Sequence, residues 1–279
     1  MLTLKSEHDL IDLLAVAGLA KSTYYYHLKR LEQPDPHAEL KAAITESFEN
    51  SKRRYGYRKV HMDLRAQGWN VGRKLVRKLM RLLGFQSKAR PKRRYNSYQG
   101  EQGKIAENLL ARHFDVDTPD TVYVSDVTEF RVEQGKLYLS PIMDLFDHSI
   151  LSFTLASSPT TAFTNGSLAQ ALGSRDFGKK LLVHTDQGVQ YQHQSWKNLL
   201  EEHGAVQSMS RKGNCYDNAV MENFFGHLKS EMFHGERFRD LEELKAEIEA
   251  YIDWYNTNRR QGRLKGMTPM EYRCHTLAA

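Results

Sequence analysis

Apolar residues recur with a helical period from residue 8 to about residue 84, and with a strand period from residue 121 onward. In "DLIDLLAVA" they share one side, "GLAK" interrupts them, and "STYYYHLKRL" restarts the pattern with Ser22 or Thr23 placed to cap. Two helices about a Gly-containing turn predict a helix-turn-helix-like segment over 1–33. "QPDPH" (33–37) opposes helix and reads as a linker. Three further helices are expected within 37–95. They are "AELKAAITESFENS", "YGYRKVHMDLRAQ" and, after the turn "GWNV", "GRKLVRKLMRLLGF", which closes near Gly84. Leu75, Leu79 and Leu82 supply the apolar stripe of the third.

Residues 96–118 are polar and irregular and read as a linker. "TVYVSDVTEF", "KLYLSPIMDL" and "SILSFTLAS" then follow one another as short β-rich runs, which predicts an antiparallel meander. A helix near 161–173, a strand "KLLVHT" (180–185), a helix "QHQSWKNLLEEHG" and a strand "AVQSM" come next. The helix inside "SRKGNCYDNAVMENFFGHLKSE" (210–231) completes the series. Three strands followed by alternating helix and strand give a mixed five-stranded α/β sheet with flanking helices over 119–235. Residues 236–279 are helical again and are expected as a C-terminal tail that includes the basic run "RRQGRLKG".

Charge sharpens this division. The chain of 279 residues has a formal net charge of +6, yet residues 51–94 hold 16 Lys/Arg against one acid, Asp63. Elsewhere acids outnumber bases, 33 to 24. Such a block implies a polyanionic partner, nucleic acid before anionic membrane, because turns break it and its helices carry core-type faces. Arg73, Arg77 and Arg81 repeat every fourth residue on the third helix, with Lys74 and Lys78 beside them. This face fits a helix lying on duplex DNA; an ordinary amphipathic helix would lack the basic loops "SKRRYGYRK" and "SKARPKRRY" around it. Two cysteines, Cys215 and Cys274, without Cys-x-x-Cys spacing, argue against a disulfide framework or a zinc site and for a reducing cytoplasm. No apolar run reaches the ~18–20 residues of a membrane span, and the N-terminal run contains acids, unlike a signal peptide.

Three acids stand out by position. Asp126 lies inside an apolar strand, where an unpartnered carboxylate is costly. Asp186 follows the strand "LLVHT", at the end where α/β sheets place ligand-binding groups. Glu222 lies on a helix whose other face is Val220, Phe224 and Leu228, and Lys229 falls two turns beyond it on the same face. Three convergent carboxylates repel unless a cation neutralises them, and an all-oxygen set suits Mg²⁺ or Mn²⁺. Two such ions serve phosphodiester chemistry, one at the attacking oxygen and one at the leaving oxygen, with Lys229 reaching a phosphate. Asp144 and Asp147 are rival metal acids, or else a strand-end cap and a turn residue. His184 is a ligand or a strand-end residue that orients the site.

"SDVTEF", "HTDQGVQY", "SMSRKGNCYDNAVMENFFGHLKSE" and "YNTNRRQGRLKGMTPMEYR" together resemble the transposases of bacterial insertion sequences, in the retroviral-integrase-like Asp-Asp-Glu superfamily. They are most similar to the second-reading-frame product of two-frame elements. The resemblance implies an RNase H-like catalytic core preceded by small all-α helix-turn-helix domains. It implies two Mg²⁺ or Mn²⁺ on Asp126, Asp186 and Glu222, and DNA contacts from Lys229 and from Arg211, Lys212, Asn214 and Asn218 near the scissile end. The implied activity is cleavage at transposon ends followed by 3′-hydroxyl strand transfer. A non-catalytic DNA-binding regulator and an RNase H-like nuclease or resolvase are the alternatives. Implied partners are double-stranded DNA with terminal repeats, further copies of the chain and an upstream-frame protein, in a nucleoid-associated cytoplasmic setting without membrane. Tyr123, Arg260 and Gln261 stand where members commonly carry Trp, Pro and His.

Overall fold

The structure, a computed structural model, describes residues 4–87, 105–175, 178–211 and 215–278. Two helices open the chain, α1 (Leu10–Ala17) and α2 (Lys21–Glu32), and Gly18, with φ 61°, ends the first in the left-handed region. The residue before α2 is Ala20, so Ser22 and Thr23 lie inside its first turn and do not cap it. Gly18 and Leu19 already complete the reversal by donating to Ala15 and Leu14 carbonyls, so helical geometry resumes before Ser22 is reached.

Helices α3 (Ala38–Asn50), α4 (Tyr57–Ala66) and α5 (Arg73–Leu82) close on Ile44, Phe48, Val60, Leu64, Val76 and Leu79. A Schellman turn ends α5: Gly84, at φ 72°, donates to the Arg81 carbonyl, and Phe85 donates to Met80 at 2.8 Å. The Phe85 ring then stacks on Phe48 with centroids 4.6 Å apart. The buried stripe of α5 is Val76, Leu79 and Met80; Leu82 is 64% exposed, contrary to the stripe expected from the sequence. Both stripes contain Leu79, but the one through Met80 continues into Leu83 and Phe85 and covers more apolar surface.

One sheet holds six strands: β1 (Val122–Ser125), β2 (Thr128–Val132), β3 (Gly135–Asp144), β4 (Ile150–Ala156), β5 (Leu181–Thr185) and β6 (Ala205–Met209). The sixth arises because the expected first strand is broken at residues 126–127. Its register on β3 does not slip, since Ser125 faces Ile142 and Thr128 faces Leu139. Asp126 therefore faces Pro141. Leu145 donates to the Val122 carbonyl at 3.0 Å, and hydrogen-bonded rungs alternate, so Pro141 falls where an N–H is required and has none. The ladder lapses at Asp126. In space the order is β4-β3-β1/β2-β5-β6; β2, β3 and β4 form the antiparallel meander, and β1, β5 and β6 run parallel.

Side chains alternate between the two faces. Tyr123, Ile142 and Val183 pack with Leu168 and Leu172 of α6 (Thr161–Gly173) and, beyond the short α7 (Val189–Gln192), with Trp196 and Leu200 of α8 (Gln194–Glu202). Val124, Leu139 and Met143 pack with Phe224 and Leu228 of α9 (Ala219–Leu228) and with Leu244, Ile248 and Tyr251 of α10 (Leu241–Thr257). Helix α10 is thus a wall of the core and not an appended tail. The last helix, α11 (Pro269–Leu277), starts with a Thr268–Glu271 capping box and is tied down by Arg273. Part of the expected linker also packs: Leu110 is buried, and the Leu109 and Leu110 N–H groups donate to Ser208 Oγ. Among the described residues no helix is long and apolar enough to cross a membrane.

Candidate active site

Parallel pairing sets Val124 of β1 opposite His184 of β5. Two residues farther on, just past the ends of the two strands, come Asp126 and Asp186, and the Asp186 charge acts on Asp126. The two-residue period turns Asp126 to the face of Val124, which α9 covers, and Glu222 lies in the first turn of α9. Both carboxylates are partly exposed, as is Glu222. Burial first, then the like charges of Asp186 and Glu222, push the Asp126 carboxyl well above its usual range; the Val127 N–H and the Lys229 charge oppose this. Burial also raises Asp186, against an opposing N–H from Gly188.

Short backbone bonds hold both carboxylates. Val127 N–H donates to Asp126 Oδ1 at 2.7 Å, and Asn218 Nδ2 donates to Asp126 Oδ2 at 3.0 Å. Gly188 N–H donates to Asp186 Oδ1 at 2.9 Å, and a Cβ at position 188 would sit 2.9 Å from that oxygen and 2.5 Å from Gln190 Nε2. Any larger residue there would displace Gln190 or the Asp186 carboxylate. Tyr191 forms a buried floor, its hydroxyl 3.4 Å from Ser125 Oγ; burial, then Asp186 and Asp126, raise its pKa. Lys229 begins a π-turn (Lys229–Phe233) at the end of α9. Its Nζ donates to the Glu129 carbonyl at 2.8 Å and lies 5.2 Å from the Phe130 ring centroid. Among the described residues no group of three or more His, Cys, Asp or Glu side chains is drawn tightly enough to hold a metal ion as it stands. The three acids share one electrostatic neighbourhood without forming a closed cage.

The remaining expected residues divide. Arg211 grips the buried Asp217 through Nε at 3.0 Å and Nη2 at 3.1 Å, and Arg112 Nε joins at 2.9 Å. Hydrogen bonding from Arg211 keeps the Asp217 carboxyl well below the usual range, so Arg211 anchors its own loop. Lys212 and Asn214 lie outside the described residues. His184 is buried, with Nδ1 2.8 Å from Ser208 Oγ and Nε2 3.1 Å from the Asp217 carbonyl; it ties β5 to the entry of α9 and faces no metal site. Asp144 and Asp147 are fully buried and ion-paired with Arg273, which removes them as rival metal acids. Asp217 escaped sequence reasoning because nothing in "CYDNAV" separates a buried anchor from a loop acid.

Arg73, Lys74, Arg77, Lys78 and Arg81 are all exposed on α5. Four of them, Lys74, Arg77, Lys78 and Arg81, line a groove of about 680 Å³ floored by Tyr57, Met80 and Phe85. Arg73 lies outside that lining. The "RRQGRLKG" run is structural at its start: Arg259 is buried on Glu231, and Arg260 pairs with Asp63 at 3.2 Å and Glu271 at 2.9 Å.

Residues 36–94 match the HTH-like domain family, and residues 117–215 and 222–277 match two integrase core domain families. The chain is 44% identical over 273 residues to transposase InsK for insertion sequence element IS150 of Escherichia coli (strain K12), covering 98% of this chain and 96% of that protein. It is 31% identical over 279 residues to transposase InsF for insertion sequence IS3A of the same organism, covering 98% and 97%. The catalytic core domain of HTLV-2 integrase, solved in complex with magnesium, is 18% identical with a TM-score of 0.44, covering 55% of this chain and 96% of that one. The fold and the site define an integrase-core enzyme preceded by a helix-turn-helix unit. The chain belongs to the insertion-sequence transposases, enzymes of the polynucleotidyl transferase type.

Proposed function

We propose that Asp126, Asp186 and Glu222 hold two divalent cations, Mg²⁺ or Mn²⁺, and that the enzyme cleaves transposon ends and joins the freed 3′-hydroxyl to target DNA. The supporting observation is the convergence of distant elements: Asp126 and Asp186 follow the paired parallel strands β1 and β5, and Asn218, at the start of the helix that carries Glu222, donates to Asp126 at 3.0 Å. The donor set fits hard cations, because it is all oxygen and its like charges repel one another. Such ions, when bound, neutralise phosphodiester charge and lower the pKa of the attacking oxygen.

The chain's own residues orient the substrate around that centre. Lys229, fixed by the Glu129 carbonyl and the Phe130 ring, presents its charge to a phosphate beside Asp126. The exposed bases of α5 hold the duplex by its backbone, with the groove over Tyr57 taking a phosphate strand. Lys212 and Asn214 contact the DNA near the scissile end. Two DNA ends need at least two copies of the chain, and an upstream-frame partner would add end recognition. The enzyme acts in the cytoplasm, on the nucleoid.

A plasmid-joining assay tests this reading. With terminal-repeat duplex, supercoiled target and Mg²⁺, we expect 3′-ends covalently joined to the plasmid, and none with chelator. Nicks without joined ends would identify a nuclease, and a retarded complex without product would identify a binder.

A further inference from the structure

Asn218 occupies the N-cap of α9, a position where Asn normally accepts a hydrogen bond from the helix's own first turn. Here the side chain makes no cap bond. Its Nδ2 instead donates to Asp126 Oδ2 at 3.0 Å, across 92 residues of sequence. A 3-10 turn, Cys215–Asn218, runs directly into this helix, which carries Glu222 four residues later. Asn218 is also only 6% exposed, and its Oδ1 has no hydrogen-bond partner among the described residues. A buried unpaired acceptor costs about 1–3 kcal/mol. The structure therefore keeps an unpaired acceptor and a long-range bond in place of a local one, both on the side chain that touches the first acid of the triad.

A single role accounts for both. On the reading of Asp126, Asp186 and Glu222 as a cation site, we propose that Asn218 is a positioning residue of that site and not chiefly a DNA contact. Its N–H fixes the Asp126 carboxylate. Its carbonyl oxygen, joined rigidly to that N–H through the planar amide, is the neutral acceptor that a bound cation or its water shell satisfies. The entry of α9 is itself held from behind, where the Asp217 carbonyl lies against His184 and the Asp217 carboxylate receives Arg211 and Arg112. Asn218 is thereby presented at a fixed height above β1.

The test uses two variants that still cap a helix, Asn218→Ser and Asn218→Gly, with Asp126→Asn as the control. Mn²⁺ binding to the full chain without DNA is followed by the loss of the free-ion EPR signal, DNA binding by fluorescence anisotropy in chelator, and folding by thermal melting. We expect both Asn218 variants to melt at or above the wild-type temperature and to bind DNA within about twofold of wild type. Their Mn²⁺ affinity should fall about 10–100-fold, the usual loss when an outer partner of a metal ligand is removed. Strand joining should recover at high Mn²⁺. Unchanged Mn²⁺ affinity with weakened DNA binding would overturn the proposal and return Asn218 to the DNA interface. If wild type binds no Mn²⁺ and Asp126→Asn changes nothing, the cation site itself fails and this role falls with it.

Discussion

Glu231 and Arg259 form a buried pair, with Arg259 Nη2 2.8 Å from Oε1 and Nε 2.9 Å from Oε2. Lys59 of α4 adds a third contact at 3.2 Å, and the Tyr251 hydroxyl of α10 a fourth at 2.7 Å. Burial alone would raise the Glu231 carboxyl; the charge and hydrogen bonds of Arg259 hold it well below the usual range. Glu231 lies in the π-turn, two residues after Lys229. One carboxylate thus joins the helix-turn-helix unit, α10 and the end of α9.

Breaking that pair from one side leaves a buried charge. Arg259→Leu should destabilise the protein by about 3–5 kcal/mol in denaturant unfolding. The triple variant Lys59→Met/Glu231→Leu/Arg259→Leu should recover a large part of the loss, since it also removes the Lys59 charge that Glu231 pairs. A single variant as stable as wild type would mean that water reaches the pair.

Arg273 holds the last helix to the sheet. Its guanidinium contacts Asp144 and Asp147, both fully buried, and lies 3.4 Å from Asp120. The Tyr123 hydroxyl donates to the same Asp120 at 2.8 Å, so α11 and β1 share one carboxylate. Arg273→Ala should lower the melting temperature by several degrees or more, as two buried carboxylates lose their cation. Arg273→Lys should restore only part, because a single ammonium cannot copy the planar fork.

Acid should weaken the fold through buried neutral histidines. Burial lowers His148 to about 3 and His184 to about 4, from an ordinary value of 6.5. The unfolded chain therefore takes up these protons first. Their contribution is complete above about pH 6.5 and is lost as pH falls toward 3–4, at up to about 1.4 kcal/mol per pH unit for each histidine. Asp144, pushed up to about 6 chiefly by burial, works in the opposite sense as pH falls through 6. The comparison that isolates one histidine is wild type against His148→Asn, because asparagine tolerates the φ of 61° at that site. The variant should show a shallower acid limb in melts from pH 7 to 4; parallel limbs would show that His148 is protonated in the fold.

The basic helix gives a salt signature. Replacing Arg77, Lys78 and Arg81 by Gln should weaken duplex binding and reduce the log–log salt slope by about 0.9 per lost phosphate contact. Arg73→Gln, outside the groove, should change the slope less. Equal effects would mean that the DNA does not follow the groove.

Much of this was legible in the residues. Helix α6 and strand β6 fall where period and breakers placed them, at Thr161–Gly173 and Ala205–Met209. Asp126, Asp186 and Glu222 could be singled out because each acid interrupts or follows an apolar element. The break at Asp126 was hidden because its cause, Pro141, lies on another strand and acts only through register. Arg211 looked like a DNA contact because sequence gives its charge but not Asp217, folded beneath it. Arg259 reads as part of a basic tail until Glu231 is placed beside it. What escaped the sequence is long-range pairing of charges, which carries no local period.

The most direct test is the position of a bound ion. Crystals of the protein with a terminal-repeat duplex, soaked in Mn²⁺, should give anomalous peaks within coordination distance of oxygens from Asp126, Asp186 and Glu222. Peaks elsewhere, or none with the three side chains turned apart, would contradict the account.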